Sequence, residues 1–234
     1  MGETIQIGTT RTQCISAYVA RPDGVPKGGL VVVQEIFGVN AHMRSVADRF
    51  AAQGYVAIAP AFFDHIEHGV ALDYDPASWT RARELVAATP FERVLEDVAS
   101  AAASIASSGK IGVVGYCWGG TVAMLSAMRL GLPAVSYYGS RNVNFLHEPL
   151  HAAAIFHFGE RDKSIPPEAI ARHRSELHFA DTMPAAQREL EIYTYPADHA
   201  FNRDATASSY DAASAALALE RTLAFFARHL GDAQ

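Results

Sequence analysis

Short, continuously apolar runs alternate along the chain with longer stretches of helical character. Gly29–Gln34, Val56–Ala59, Lys110–Gly115, Ala134–Tyr138, Ala152–Phe158 and Glu191–Tyr195 read as strands. Helices are expected near Met43–Gln53, over Pro76–Ala87 and Glu92–Ala106, over Gly120–Leu130, near Pro167–His178 and within Ala207–Leu230. Strands that are apolar at every position are those covered on both faces, so the alternation predicts a doubly wound, mostly parallel twisted sheet with helices on both faces. Two strands at about Ile5–Thr9 and Ile15–Ala20, followed by Pro22-Asp23-Gly24, form a hairpin-like opening that suits an antiparallel edge on such a sheet. No internal repeat or linker interrupts the pattern, so residues 1–234 are expected to form one domain.

The apolar run at Lys110 ends in Gly115-Tyr116-Cys117-Trp118-Gly119-Gly120. Gly-x-Cys-x-Gly at the end of a buried strand predicts a sharp strand-to-helix turn, strained and crowded enough to need glycine at 115 and 119. The central side chain then projects from the top of an α/β-hydrolase sheet. Cys117 is the candidate nucleophile; the plainer reading is a small buried apolar residue. Context separates the two, because in this fold the nucleophile is followed along the chain by an acid and then a histidine. Ala152–Phe158 runs into Gly159-Glu160-Arg161-Asp162, and Glu191–Tyr195 runs into Pro196-Ala197-Asp198-His199. Asp162 and His199 therefore stand at two further strand ends in the required order.

Composition narrows the partners. The formal net charge of −6 and the absence of a dense Lys/Arg stripe argue against nucleic acid or an anionic membrane, and no apolar run approaches a membrane span of about 18 residues. The start of the chain shows neither a signal peptide nor, with Gln6, a myristoylation pattern. Two cysteines, Cys14 and Cys117, make a disulfide framework implausible and favour a reducing, cytoplasmic setting. The expected partner is a small molecule, and the protein is expected to act as a monomer or homodimer.

Glu35 directly follows the apolar strand Gly29–Gln34, at the sheet edge where ligands of α/β folds bind. It is either a carboxylate of the site or a strand-end glutamate paired with an arginine. The backbone N–H groups of Ile36 and Trp118 occupy the positions from which this fold builds an oxyanion hole. Tyr138 ends a strand at the same edge and either lines the pocket or fills the core. His65 and His68 have an H-x-x-H spacing without a third ligand, which fits a solvated loop better than a metal site. His157 within an apolar strand fits a satisfied core histidine, and Cys14 is expected to be inert.

With these residues in place, the chain resembles the dienelactone hydrolases, or carboxymethylenebutenolidases. The resemblance rests on QEIFGVN at Gln34–Asn40, GYCWGG at Gly115–Gly120, the Asp162 loop and HAFNR at His199–Arg203. It implies a single-domain α/β-hydrolase with a Cys-His-Asp triad that opens a dienelactone ring and needs no cofactor or metal. By position, it makes Cys117 the nucleophile, His199 the base, Asp162 the orienting acid, and Glu35 the carboxylate that helps ionise the thiol when substrate arrives. Arg203 resembles one arginine for the substrate carboxylate. A second lies in the helical region before the elbow, where the chain has Arg81 and Arg83 and Arg81 is favoured. Well-known members carry leucine where this chain has Trp118, so the pocket wall differs.

The chemistry these residues would perform is acyl transfer. A free thiol titrates near about 8.5 and needs a neighbouring base to form thiolate at neutral pH. A histidine held in one tautomer by an aspartate supplies that base. The alternatives are an esterase or thioesterase of the same fold acting on neutral esters, which would not need Arg81 and Arg203, and a non-catalytic module of hydrolase fold, which would more often have lost part of the triad.

Overall fold

A computed structural model describes residues 2–8 and 13–231. The chain divides into two compact units, Met1–Gly112 with Leu230–Gln234, and Val113–His229.

The first unit opens with β1 (Glu3–Gly8) and β2 (Cys14–Ala20), which pair antiparallel with Ile7 opposite Ile15. Thr9, expected as the end of the first strand, and the residues joining the strands lie outside the described residues. β3 (Gly29–Val33) is followed by α1 (Ala41–Ala52) and β4 (Val56–Pro60), and β3 and β4 pair in parallel as a strand–helix–strand unit does. β4 also pairs antiparallel with β2, giving the order β1-β2-β4-β3. Every residue of β3 and β4 is buried, which is why both are apolar throughout. α1 starts where the Asn40 side chain accepts the Met43 N–H, and ends before Gly54, whose φ is 97°. α2 (Pro76–Ala87) starts at an Asp75 cap with proline in its first turn. α3 (Phe91–Ser104) buries Val94, Leu95, Val98, Ala101 and Ala102, a stripe at helical spacing.

The second unit carries β5 (Ile111–Tyr116), which begins at the boundary, then α4 (Trp118–Arg129), β6 (Ala134–Tyr137), β7 (Ala154–Gly159), α5 (Pro167–Glu176), β8 (Leu190–Tyr195) and α6 (Ala212–Leu230). Its strands pair in parallel in the order β5-β6-β7-β8. α4 is buried from Trp118 to Met128, so it reads as apolar on all sides rather than along one stripe. The eight strands and alternating helices form a mostly parallel α/β architecture with an antiparallel start. No helix among the described residues is long and apolar enough to cross a membrane.

Candidate active site

The elbow is built where β5 meets α4. Cys117 caps the helix with φ 55° and ψ −116°, donates its N–H to the Tyr137 carbonyl at 3.0 Å, and accepts the Gly120 N–H at 2.9 Å. A Cβ on Gly115 would collide with the Gly119 carbonyl oxygen, and one on Gly120 with the Tyr137 carbonyl oxygen. Gly115 was expected to be small; the demand at Gly120 comes from the close approach of α4 to the end of β6. Cys117 is the N-cap residue of α4, at the positive end of the helix dipole.

The candidate acid and base, Asp162 and His199, come from neighbouring strand ends that are tied together. After β7, the Glu160 N–H donates to the Tyr195 carbonyl at 2.8 Å and the Arg161 N–H to the Ala197 carbonyl at 3.0 Å. A Cβ on Gly159 would collide with that same Ala197 carbonyl. Asp162 is buried; one oxygen accepts the Ser164 N–H at 2.8 Å and the other accepts His199 Nδ1–H at 2.6 Å. His199 Nε2 lies 3.2 Å from Cys117 Sγ. Because a carboxylate only accepts, Nδ1 carries a proton, and Nε2 is the nitrogen that exchanges a proton with the Cys117 sulfur. Burial disfavours a charge on His199. Yet the Cys117 charge, the hydrogen bonds to Asp162 and Cys117, and the Asp162 charge outweigh burial and lift the imidazolium pKa to about 10. The second unit thus holds Cys117, His199 and Asp162 in one hydrogen-bonded line.

The remaining candidates divide. Trp118 is the first residue of α4, so its N–H belongs to the positively polarised N-terminal turn beside Cys117. Arg203 sits in the turn after His199, its N–H donating to the Ala200 carbonyl, and is 8% exposed. Asp198, next to His199, faces Arg161 at 3.4 Å. In the first unit, Glu35 is 1% exposed just beyond β3, and Ile36 begins the loop that follows. Arg81, on the surface of α2, bonds Glu67 and, at 3.0 Å and helical i,i+3 spacing, Glu84, two exposed carboxylates of its own unit. Tyr138 is fully buried, as its core alternative requires, and its ring centroid lies 5.1 Å from that of His199.

His65 and His68 do not act together. His65 closes a 3₁₀ turn and holds the buried Asp97 carboxylate at 2.8 Å, while the exposed His68 lies 3.5 Å from Asp64. Burial raises the Asp97 carboxyl to about 6 despite the opposing His65 bond. Among the described residues no cluster of three or more His, Cys, Asp and Glu side chains could hold a metal ion. His157 is a core histidine, bonded to the Tyr195 hydroxyl at 2.8 Å and Thr222 at 3.1 Å, and burial, then the Arg221 charge, push it down to about 3. Cys14 is an exposed free cysteine on β2.

A nucleophile elbow followed along the chain by an acid and a histidine, on a mostly parallel α/β scaffold, defines an α/β hydrolase. The family model of the dienelactone hydrolase family matches residues 15–230, and the chain belongs to that family. It is 35% identical over 235 residues to the carboxymethylenebutenolidase of Pseudomonas putida, covering 96% of each chain. A Yersinia pestis protein assigned as a carboxymethylenebutenolidase is 36% identical, over 92% of this chain and 84% of that protein. A crystal structure from Klebsiella pneumoniae, assigned as a dienelactone hydrolase, superposes with a TM-score of 0.82 at 33% identity, covering 97% of this chain and 98% of that one. The protein is therefore a hydrolase of dienelactone hydrolase type.

Proposed function

We propose that the protein opens an activated, carboxylate-bearing lactone of dienelactone type through an acyl-thioester on Cys117. The observation that carries this reading is the line Cys117 Sγ to His199 Nε2 at 3.2 Å and His199 Nδ1 to Asp162 at 2.6 Å. His199 takes the thiol proton and the thiolate attacks the lactone carbonyl. The tetrahedral oxyanion is received by the Trp118 N–H at the start of α4, such a donor being worth about 3 kcal/mol by analogy with oxyanion-hole deletions. The ring C–O bond breaks, the enol oxygen leaves with the proton from His199, and the acyl group stays on sulfur. Water, activated by His199, then hydrolyses the thioester and restores the thiol. An enol is a good leaving group, which suits a soft sulfur nucleophile. The relative named as a carboxymethylenebutenolidase supports the substrate class, and a reactive thiol suits a reducing cytoplasmic compartment.

Glu35 is assigned the family role of assisting thiol ionisation when substrate arrives. Glu35 is almost completely buried just beyond β3. Glu35→Gln should slow acylation at neutral pH by about 100-fold, the lower range of general-base effects, with the fold intact. Stopped-flow measurement of the acylation phase checks this, and an unchanged rate removes Glu35 from the mechanism.

Arg203 is assigned the substrate carboxylate. An acidic protein repels an anionic lactone at long range and needs a local fork of donors, which guanidinium supplies. In a sheltered pocket that contact should contribute about 1.5–3 kcal/mol, or roughly ten- to over a hundred-fold in kcat/KM. Arg203→Ala should depress turnover of a carboxylate-bearing lactone by that factor and spare a neutral aryl ester. Equal losses on both would make Arg203 structural, and a parent enzyme that prefers the neutral ester would favour the esterase reading.

A further inference from the structure

Three non-glycine positions among the described residues have a left-handed φ: Cys117 at 55°, Tyr138 at 40° and Ala200 at 61°. Side chains avoid this region, most of all bulky ones. All three positions meet at one imidazole. Cys117 Sγ lies 3.2 Å from His199 Nε2, Ala200 is the next residue, and the Tyr138 ring lies 5.1 Å from the His199 ring, inclined by 59°. The strain at Cys117 belongs to the elbow, and that at Ala200 to the turn in which its carbonyl accepts the Arg203 N–H. Neither explains Tyr138.

Such strain persists only where the surroundings over-determine it, and it collects at functional sites. Tyr138 is over-determined. Its N–H donates to the His157 carbonyl at 2.8 Å, and the carbonyl before it accepts the Cys117 N–H. Its ring is fully buried, edge-on to Phe201 at 5.5 Å and to Tyr137 at 6.0 Å. A relaxed backbone at residue 138 would turn the Cα–Cβ bond and carry the ring away from the imidazole.

We infer that Tyr138 is a positioning residue for the base, its ring supporting His199 and stabilising the imidazolium of the Cys117–His199 pair through the negative face of the π system. A cation within about 6 Å of an aromatic centroid feels that attraction, more so when desolvated. The other charged or titratable groups of the second unit near His199 are Cys117 from the elbow, Asp162 from the loop after β7, Asp198 with its partner Arg161, and Arg203 one turn on. The persistence of the imidazolium to about 10 fits a site in which several groups favour the charged ring. The inference rests on the reading of His199 as the base.

An NMR titration of the His199 imidazole in the resting protein, without substrate, tests the idea. Tyr138→Leu should lower the His199 midpoint by about half to one and a half pH units, the size expected for a lost cation–π contact. Tyr138→Phe should keep it. Ring-fluorinated phenylalanine at position 138, which keeps the shape and weakens the π face, should lower the midpoint in step with fluorination, and this series decides the matter if the leucine variant does not fold. A midpoint that stays put across the fluorinated series, or in a folded leucine variant, overturns the inference and leaves Tyr138 a packing residue. Since no lactone is present, failure of the proposed substrate class would show in turnover assays and leave this readout untouched.

Discussion

Cys117→Ala should reduce hydrolysis of a good lactone by about 10⁴- to 10⁶-fold, the range seen when a triad nucleophile is deleted and only the oxyanion hole and substrate binding remain. The argument starts from the backbone. The left-handed turn at residue 117 is imposed by the close approach of Gly115 to Gly119 and of Gly120 to β6, none of which involves the sulfur. Alanine can therefore occupy the elbow at the same backbone cost as cysteine, and the fold should survive. What disappears is the sulfur 3.2 Å from His199 Nε2, the proposed nucleophile. In the parent protein, rapid quench and mass spectrometry should find the acyl group on the peptide containing Cys117. In the variant no adduct should form. If the alanine protein hydrolysed the lactone at the parent rate, the nucleophile would have to be sought elsewhere.

Which parts of this arrangement the sequence carries, and which it does not, follows from whether the determinant is local. The elbow is legible because its strain demands particular small residues at particular positions. α2 is legible at its start because Asp75 and Pro76 begin it, Asp75 accepting the Ser78 N–H as a cap must. α6 begins at Ala212, within the expected stretch, because Asp211 caps it through the Ser214 N–H and residues 206–210 close into turns beforehand. α4 begins at Trp118, two residues earlier than expected, since the elbow delivers the chain straight into the helix. The placement of β4 between β2 and β3 has no local signature; it is a matter of which apolar strands meet.

The site shows the same division. Cys117 and Asp162 follow the buried apolar strands β5 and β7, and His199 follows the turn after β8, a pattern visible in one dimension. Arg81 stands on an exposed helix, where the i,i+3 spacing to Glu84 forms a surface pair, and sequence alone carries no sign of what else it meets. Tyr138 is the opposite case. Nothing in the residues around it announces a left-handed tyrosine, since the constraint comes from β7 and from the elbow, which are remote in sequence.

The second large effect falls on a residue that never touches substrate. Asp162→Asn should lower kcat by about 10⁴-fold, as removal of the orienting charge does in serine triads, while changing substrate affinity little. The Ser164 N–H, 2.8 Å from one Asp162 oxygen, is a fixed donor. An asparagine in the same rotamer would keep its carbonyl oxygen on that amide and turn its NH₂ toward His199 Nδ1. The imidazole must then accept at Nδ1 and carry its proton on Nε2, facing Cys117, where it cannot take the thiol proton. Loss of the carboxylate also removes one of the contributions holding the His199 imidazolium up to about 10. The sign follows: a stabilised cation loses its proton earlier when its anionic partner is neutralised, so any high-pH limb of acylation moves to lower pH. Acylation rates measured across pH for the parent and Asp162→Asn test both statements, with circular dichroism to show that the fold is kept. A folded variant within tenfold of the parent rate, with an unmoved profile, would mean that Asp162 only ties the two loops together and does not set the proton on His199.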